Sequence, residues 1–145
     1  VFEDRSKLKS IGDNAFQECY NLTSVTFSGI SKVTRIGYRA FKLCTSLTSI
    51  IIPDSVTSIE SLAFRDTGLT SVTLSEGLTS IGEGAFYSCN SLTSITIPDS
   101  VTEVVDGAFY NTGLTSITVE WSGTQPDFTT IITNGNNATV TYVEL

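Results

Sequence analysis

Histidine is absent from this chain of 145 residues. Imidazole is the usual general base near neutral pH, a common metal ligand and the group that activates most serine and cysteine nucleophiles. Its absence argues against an enzyme, and we expect no catalytic residue, no metal and no cofactor. Paired carboxylates remain a route to glycosidase chemistry. However, Asp54, Glu76 and Asp99 lie at predicted turns or strand ends, where turn formation is the ordinary role.

Long apolar runs are also missing. No segment approaches the roughly 20 apolar residues of a transmembrane helix, so we expect no direct insertion into a membrane. The chain begins at Val1 rather than at Met and carries no signal peptide. This start favours a fragment of a longer protein.

Basic residues are missing from the second half of the chain. Residues 1–65 hold all eight Lys and Arg with six acidic residues, a net charge of +2, whereas residues 66–145 hold nine acidic residues, a net charge of −9. The acidic total argues against a nucleic-acid partner. A basic cluster in the first half is suited either to an anionic partner or to a solvated rim, and we favour the rim. Its members are Lys32, Arg35, Arg39, Lys42 and Arg65.

Cysteine is scarce, and its three copies share one place in a repeat. Cys19, Cys44 and Cys89 each follow an Ala by four residues. An odd number in a single column predicts small buried apolar side chains rather than a disulfide framework. A disulfide between Cys19 and Cys44 is the alternative, because they lie in adjacent units.

The dominant feature of the sequence is an internal repeat. Ala-Phe pairs recur at spacings of 25, 23, 22 and 23 residues, beginning at Ala15, Ala40, Ala63, Ala85 and Ala108. A second signature, Leu-Thr-Ser followed by an apolar alternation, recurs from Leu22, Leu47, Leu69, Leu92 and Leu114. A period of this length predicts a solenoid, in which each unit buries its apolar side against its neighbours.

Each unit divides into a strand and a return segment. In LTSITI from Leu92, the alternation from Ile95 to Ile97 predicts a short strand with hydroxyl side chains on its opposite face. GAFYSCN, residues 84–90, is too short for an independent helix and predicts a turn of α-helix or 3-10 helix. Two repeats lack one residue before the strand, and we expect Gly68 and Gly113 to form tighter turns there. We expect an array of about five units of 22–25 residues over residues 1–119 and a C-terminal cap over residues 120–145.

The outward strand face is the strongest candidate for ligand binding. It holds a row of serines and a row of threonines that contains one isoleucine, and parallel strands about 4.8 Å apart would join these rows into one surface. The alternative is that Ser and Thr occupy these positions only because they are well tolerated on the exposed face of a sheet, with no role in binding. The predicted ligand-binding residues are Ser24, Thr26, Ser49, Ile51, Ser71, Thr73, Ser94, Thr96, Ser116 and Thr118.

The repeat resembles a known family. LxxIxIPxSV at residues 92–101 and IGxxAFxxC at residues 81–89 are similar to the leucine-rich repeat of BspA-like, or Treponema-type, surface proteins, over about residues 6–119. The resemblance implies an α/β fold: a right-handed solenoid with a parallel β-sheet on its concave side and short helical, 3-10 or extended segments on its convex side. It also implies adhesion or protein binding at a cell surface, with no shared catalytic residues.

We therefore expect a non-catalytic recognition module of a secreted or cell-surface protein. Its partner would be a protein, for example a host or matrix protein, or less favourably a glycan, bound on the concave Ser/Thr-lined sheet. We expect the chain to be a monomer located outside the cell. The alternative is a structural spacer within a larger surface protein, with no ligand of its own.

Overall fold

A computed structural model of the protein describes residues 7–27, 32–124, 128 and 138–145. Much of the predicted cap, residues 125–127 and 129–137, lies outside this part. The described chain winds through successive coils, which we number by their phenylalanines: coil 1 contains Phe16, coil 2 Phe41, coil 3 Phe64, coil 4 Phe86 and coil 5 Phe109.

The described residues form ten short strands. In chain order they are β1 Ser10–Ile11, β2 Arg35–Ile36, β3 Ser49–Ile51, β4 Ser58–Ile59, β5 Ser71–Thr73, β6 Ser80–Ile81, β7 Ser94–Ile97, β8 Glu103–Val104, β9 Ser116–Trp121 and β10 Thr139–Glu144. All their pairings are parallel. Parallel pairing follows from the winding, because every coil travels in the same direction past its neighbour.

One side of the solenoid carries a continuous sheet of five strands in the order β1-β2-β4-β6-β8. Each strand has two residues and contributes one buried aliphatic residue to the core, so Ile36, Ile59 and Ile81 lie in register. A threonine precedes each of the last four strands, β2, β4, β6 and β8. Its hydroxyl donates to the carbonyl oxygen of the preceding coil, as from Thr79 to Thr57 at 2.9 Å. This sheet is therefore tied by side chains as well as by backbone.

The return segment is a chain of turns, and the predicted helical or 3-10 turn is wrong for the described residues. In coil 4 the amides of Ala85, Tyr87 and Cys89 close tight turns to carbonyls three residues earlier. The amides between them point to the next coil instead, as from Phe86 to the carbonyl of Ala108 at 2.8 Å. A helix would direct every amide back along its own segment, so this alternation excludes one.

The turns also require a residue with left-handed backbone conformation, that is with positive φ, at every fourth position. Gly84 adopts φ of 58° and Ser88 adopts 57°. The same pair of positions is left-handed at Arg39 and Leu43 in coil 2. Two such residues per coil interrupt any helical run, because an L-residue helix requires negative φ throughout.

The phenylalanine column forms the centre of the core, as predicted. Successive rings lie parallel, with centroids 5.2 Å apart for Phe16 and Phe41 and 5.3 Å apart for each later pair. Phe41, Phe64, Phe86 and Phe109 are fully buried. The spacing of the rings follows the spacing of the coils, since the amide of every phenylalanine from coil 1 to coil 4 is bonded to the next coil.

The second sheet differs from the continuous surface that the sequence predicts. Strands β3 and β5 form one ladder, and β7, β9 and β10 form another. Among the described residues no ladder joins β5 to β7 or joins residues 22–27 of coil 1 to β3. Within the predicted cap, residues 139–144 form β10, which pairs with β9 over six residues.

The paired strands belong to a long coil followed by a short one. Coils 3 and 5 are the repeats that lack a residue, and in each the expected tighter turn brings glycine against the preceding coil. The amide of Gly113 donates to the carbonyl of Cys89 at 3.3 Å, and a Cβ at Gly113 would collide with the carbonyl oxygen of Asn90. Gly68 makes the equivalent contact with Thr45. The short turn thus brings β5 close enough to pair with β3, and β9 close enough to pair with β7. It leaves a gap between β5 of coil 3 and β7 of coil 4.

Phe64→Ala should lower the free energy of unfolding by ~3–5 kcal/mol, because it removes a fully buried ring and leaves a cavity between two others. Chemical denaturation of the two proteins measures the difference. A loss below about 1 kcal/mol would mean that the stack contributes little to stability.

Gly113→Ala should cost ~1–3 kcal/mol, because the added methyl group collides with the backbone of Asn90. It should also speed exchange of the Thr115 amide hydrogen, which is bonded to Thr93 at 2.9 Å. Gly12→Ala is the matched control, since a Cβ there meets nothing within 4 Å. Equal stability of the two variants would contradict the role assigned to the short turn.

Candidate functional site

The ten predicted ligand-binding residues form one outward surface, which we call the hydroxyl face. All of them are exposed except Thr118, which is half-buried. The structure brings together Ser49 with Ser71 and Ile51 with Thr73 on the first ladder. On the second ladder it aligns Ser94 with Ser116 and Thr96 with Thr118. Ser24 and Thr26 lie on coil 1, outside both ladders.

The side chains of the hydroxyl face are not used to hold the fold together. Within the described part of the chain, none of the ten donates or accepts a hydrogen bond through its side chain. The threonines directly before β5 and β9 behave differently: the hydroxyl of Thr70 donates to the carbonyl of Thr48 at 3.0 Å, and that of Thr115 donates to the carbonyl of Thr93 at 3.3 Å. The hydroxyls of the face are therefore free for solvent or a ligand.

Strand β10 extends the hydroxyl face beyond the ten predicted residues. Thr139 pairs with Ser116 and Thr141 pairs with Thr118, and both threonines are exposed. Sequence reasoning missed them because they stand outside the Leu-Thr-Ser signature. The alternation of TVTYVE was the available signal, since it places the two threonines on one side of a strand.

Two gaps interrupt the hydroxyl face. Between β5 and β7 lie two small clefts of about 250 and 270 Å³, lined in part by Val72 and Thr96. Between coil 1 and β3 lies a larger cleft of about 800 Å³, whose walls include Phe27 and Ile51. The side chain of Ile51 is the apolar exception on the face, and it is 68% exposed.

The basic cluster does not form one cationic site. The Arg35 guanidinium bridges the Asp13 carboxylate at 2.7 Å and the Glu60 carboxylate at 3.2 Å. The bond from Arg35, followed by the amide of Tyr38, lowers the pKa of Asp13. The ion pairs already compensate this charge, which supports a solvated rim over an anion site.

Arginine and tyrosine stack along the column that follows each phenylalanine. The guanidinium of Arg65 lies 4.8 Å from the ring centre of Tyr87 and also contacts Asp66 at 3.0 Å. Tyr87 and Tyr110 stack at 5.5 Å. Beside them runs a groove of about 560 Å³ on the turn side of the solenoid. Both faces of the Tyr87 ring are thus covered within the chain, whereas Tyr110 is 40% exposed beside this groove.

The three cysteines are free thiols, so the alternative of a disulfide between Cys19 and Cys44 is wrong. Cys44 and Cys89 are buried, as predicted for this column, whereas Cys19 is half-buried. The Cys89 thiol lies 3.2 Å from the carbonyl of Phe64, and the Cys44 thiol lies 3.1 Å from that of Phe16. Burial raises the pKa of Cys89 to about 11 and that of Cys44 to about 11. These thiols are structural, because the thiolate that would react is disfavoured.

Asp99, one of the three carboxylates considered for catalysis, has a structural role. Asp99 accepts bonds from the Ser122 amide at 2.7 Å and from the Ser122 hydroxyl at 2.6 Å, which ties the chain after β9 to coil 4. Within the described ranges, no three His, Cys, Asp or Glu residues group as metal ligands. The same ranges contain no helix that is long and apolar enough to cross a membrane.

These coils, with a chain of turns in each and two parallel strands in each of coils 2 to 5, define a class of protein: a solenoid of leucine-rich repeats. The model of the BspA type leucine rich repeat region matches residues 9–130 in six copies. The chain belongs to this family, which confirms the resemblance read from its sequence. The match extends past residue 119, and the division into an array of 1–119 and a cap of 120–145 stays a prediction.

Solved structures show the same fold. A leucine rich repeat protein of Treponema pallidum is 26% identical and has a TM-score of 0.80, covering 97% of this chain and 66% of that one. A leucine rich cell surface protein of Faecalibacterium prausnitzii is 31% identical, with a TM-score of 0.58 over 77% of this chain and 36% of that one. A leucine-rich repeat protein of Bacteroides ovatus, 20% identical with a TM-score of 0.59 over 98% of this chain and 51% of that one, shares the fold alone.

The chain spans at most 66% of the length of these three proteins. No curated protein gives a significant sequence match.

Thiol labelling should separate the cysteines. At pH 8 the folded chain should leave Cys44 and Cys89 unlabelled by a disulfide reagent, because both are buried and their pKa lies near 11. Denaturant should expose all three thiols. Mass spectrometry of the labelled peptides identifies the sites.

The same shifts predict a pH dependence of stability. A thiol pKa raised by folding adds stability that is complete below the unfolded value of about 9 and is lost as the pH rises towards 11. Cys89→Ala should reduce this alkaline loss relative to the parent chain. Fast labelling of Cys89 in the folded chain at pH 8 would contradict both expectations.

Proposed function

We propose that this chain is a non-catalytic recognition module of a secreted or cell-surface protein. It binds a partner protein, in the manner of an adhesin, through the hydroxyl face that the sequence predicts to be concave. The observation that carries this proposal is the set of exposed side chains on that face, none of which is hydrogen-bonded within the described chain. By contrast, the neighbouring hydroxyls of Thr70 and Thr115 are hydrogen-bonded to the preceding coil.

The charge of the face favours a protein over a polyanion. Its ten predicted residues carry no charge, and residues 66–145 have a net charge of −9. Neutral hydroxyls, a few β-branched methyl groups and one exposed isoleucine give a surface that is both polar and apolar. Protein interfaces have the same mixture, whereas nucleic-acid sites need clustered Lys and Arg.

Family and location point in the same direction. The chain belongs to the BspA-type repeat family, and one similar structure is described as a cell surface protein. A spacer with no ligand is the competing proposal, and a glycan is the competing ligand. Their signatures are distinct: a spacer retains no partner from matrix extract, and a glycan is released by glycosidase treatment of the captured material.

Thr73→Arg together with Thr96→Arg should abolish binding to a partner purified by capture from extracellular-matrix extract. Two long cations placed on opposite sides of the central gap would obstruct close docking and bury unpaired charge. Surface plasmon resonance against the purified partner measures the loss, and circular dichroism checks that the fold is intact.

Thr45→Arg together with Asn90→Arg is the matched control. It adds the same charge at two exposed positions just before β3 and β7, off the hydroxyl face. Binding by the control and not by the test variant supports the proposal. Normal binding by the test variant would overturn it, and equal loss in both variants would show that charge alone is responsible.

A further inference from the structure

The cleft between coil 1 and β3 is a wedge that opens only on the hydroxyl face. On the turn side the two coils are in close contact, since Phe16 and Phe41 stack at 5.2 Å and the amide of Asn14 donates to Tyr38 at 2.8 Å. On the side of the continuous sheet, β1 pairs with β2. On the hydroxyl face, no ladder among the described residues joins the coils, and a cleft of about 800 Å³ remains.

One wall of this wedge is the edge of β3. The carbonyl of Thr48 accepts from Thr70 at 2.8 Å, and the amide of Ile52 donates to Thr73 at 2.9 Å, so these groups face coil 3. Alternate residues of a parallel strand direct their backbone groups to opposite neighbours. The backbone groups of Ser49 and Ile51 therefore face the wedge, and they have no backbone partner there among the described residues.

The rest of the wedge is apolar. Ile51 is 68% exposed beside the open edge, where the equivalent residue of each other repeat is threonine. Val25 and Phe27 line the opposite wall and are only half-buried. The wedge thus combines donors and acceptors about 6.6 Å apart along a strand with apolar walls. An extended polypeptide has the matching backbone spacing and alternating side chains, whereas a sugar has neither.

We propose that this wedge receives an extended segment of the partner polypeptide, which pairs with β3 through Ser49 and Ile51 and packs an apolar side chain against Ile51. This mode of binding rests on the proposed function, because it assigns that function to one edge of the hydroxyl face. It adds a strand to the β3–β5 ladder, as in other cases of strand addition to an open sheet edge. The continuous sheet offers no such place between coils 1 and 2, because β1 pairs with β2 there.

The probe is a synthetic peptide of the sequence YNLTSVTFS, which copies residues 20–28, with blocked ends. It has the alternating side chains of residues 22–27 of coil 1, which face β3 across the wedge. Amide hydrogen exchange of the ¹⁵N-labelled chain should be fast at Ser49 and Ile51 and slow at Ile52 before the peptide is added. The peptide should then slow exchange at Ser49 and Ile51 and shift their signals.

Backbone pairing is tested by N-methylation of the peptide. Only one alternate set of its amides can face β3, so methylating that set should weaken binding about tenfold or more, and methylating the other set should have little effect. Equal effects of the two sets would overturn strand pairing. Absence of binding at about 1 mM peptide would overturn the proposal as well, as would signal shifts confined to other coils.

Two variants of the chain provide the complementary test. Ile51→Pro removes the amide that faces the wedge and should weaken peptide binding about tenfold or more. Ile51→Thr keeps the amide, restores the threonine of the other repeats and should weaken binding less than about fivefold. If Ile51→Pro does not fold, the N-methylated peptides still decide the question.

Failure of this inference is distinguishable from failure of the proposed function. The Thr73→Arg and Thr96→Arg double variant could lose partner binding while Ile51→Pro binds the partner fully. This pair of results would overturn strand addition and would still support the hydroxyl face as the binding site. A rise in mass of the chain with concentration in sedimentation, abolished by Ile51→Pro, would assign the edge to a second copy of the chain and overturn the peptide assignment.

Discussion

The structure depends on one constraint: the backbone amides and carbonyls that a coil does not pair internally must form hydrogen bonds with the coils beside it. In the chain of turns, every second amide closes a turn within its own coil, and the amides between them donate to the next coil. The segment can therefore be neither a helix nor a strand. The phenylalanine rings follow at 5.2 to 5.3 Å, which is the distance those bonds impose. Stability is accordingly distributed along the array, since each layer is held by its two neighbours.

The same constraint is met differently on the two sides of the solenoid. The continuous sheet meets it at all five strands, with threonine hydroxyls reinforcing the contact. On the hydroxyl face it is met where a short coil approaches the long coil before it, in coils 2 and 3 and in coils 4 and 5, and where β10 pairs with β9. Gly68 and Gly113 make that approach possible, since any larger side chain would strike the preceding backbone. The open edge of β3 remains because, among the described residues, this strand pairs with β5 on one side only.

The sequence predicted the columns of the fold better than the backbone between them. Phe64 and its equivalents repeat with the period of the coil, and periodicity alone places them in a stack. The turn segment was predicted to be helical because nothing in GAFYSCN reveals which amides point outward. The rows from Ser24 to Thr118 were placed on one face by alternation, but the gaps within that face depend on the distance between coils. A missing residue before Leu69 and Leu114 was the visible signal, and its consequence required coordinates.

The pairing of coils has a consequence for how such an array changes in length over evolution. Gly68 and Gly113 are 45 residues apart, as are Pro53 and Pro98. The structural period is therefore a pair of coils, one long and one short, rather than a single coil. Duplication or deletion of such a pair of coils preserves the order of long and short turns. Loss of a single short coil would place two long turns together and create another open edge. Relatives of this chain should therefore differ by even numbers of coils wherever both edges are kept closed.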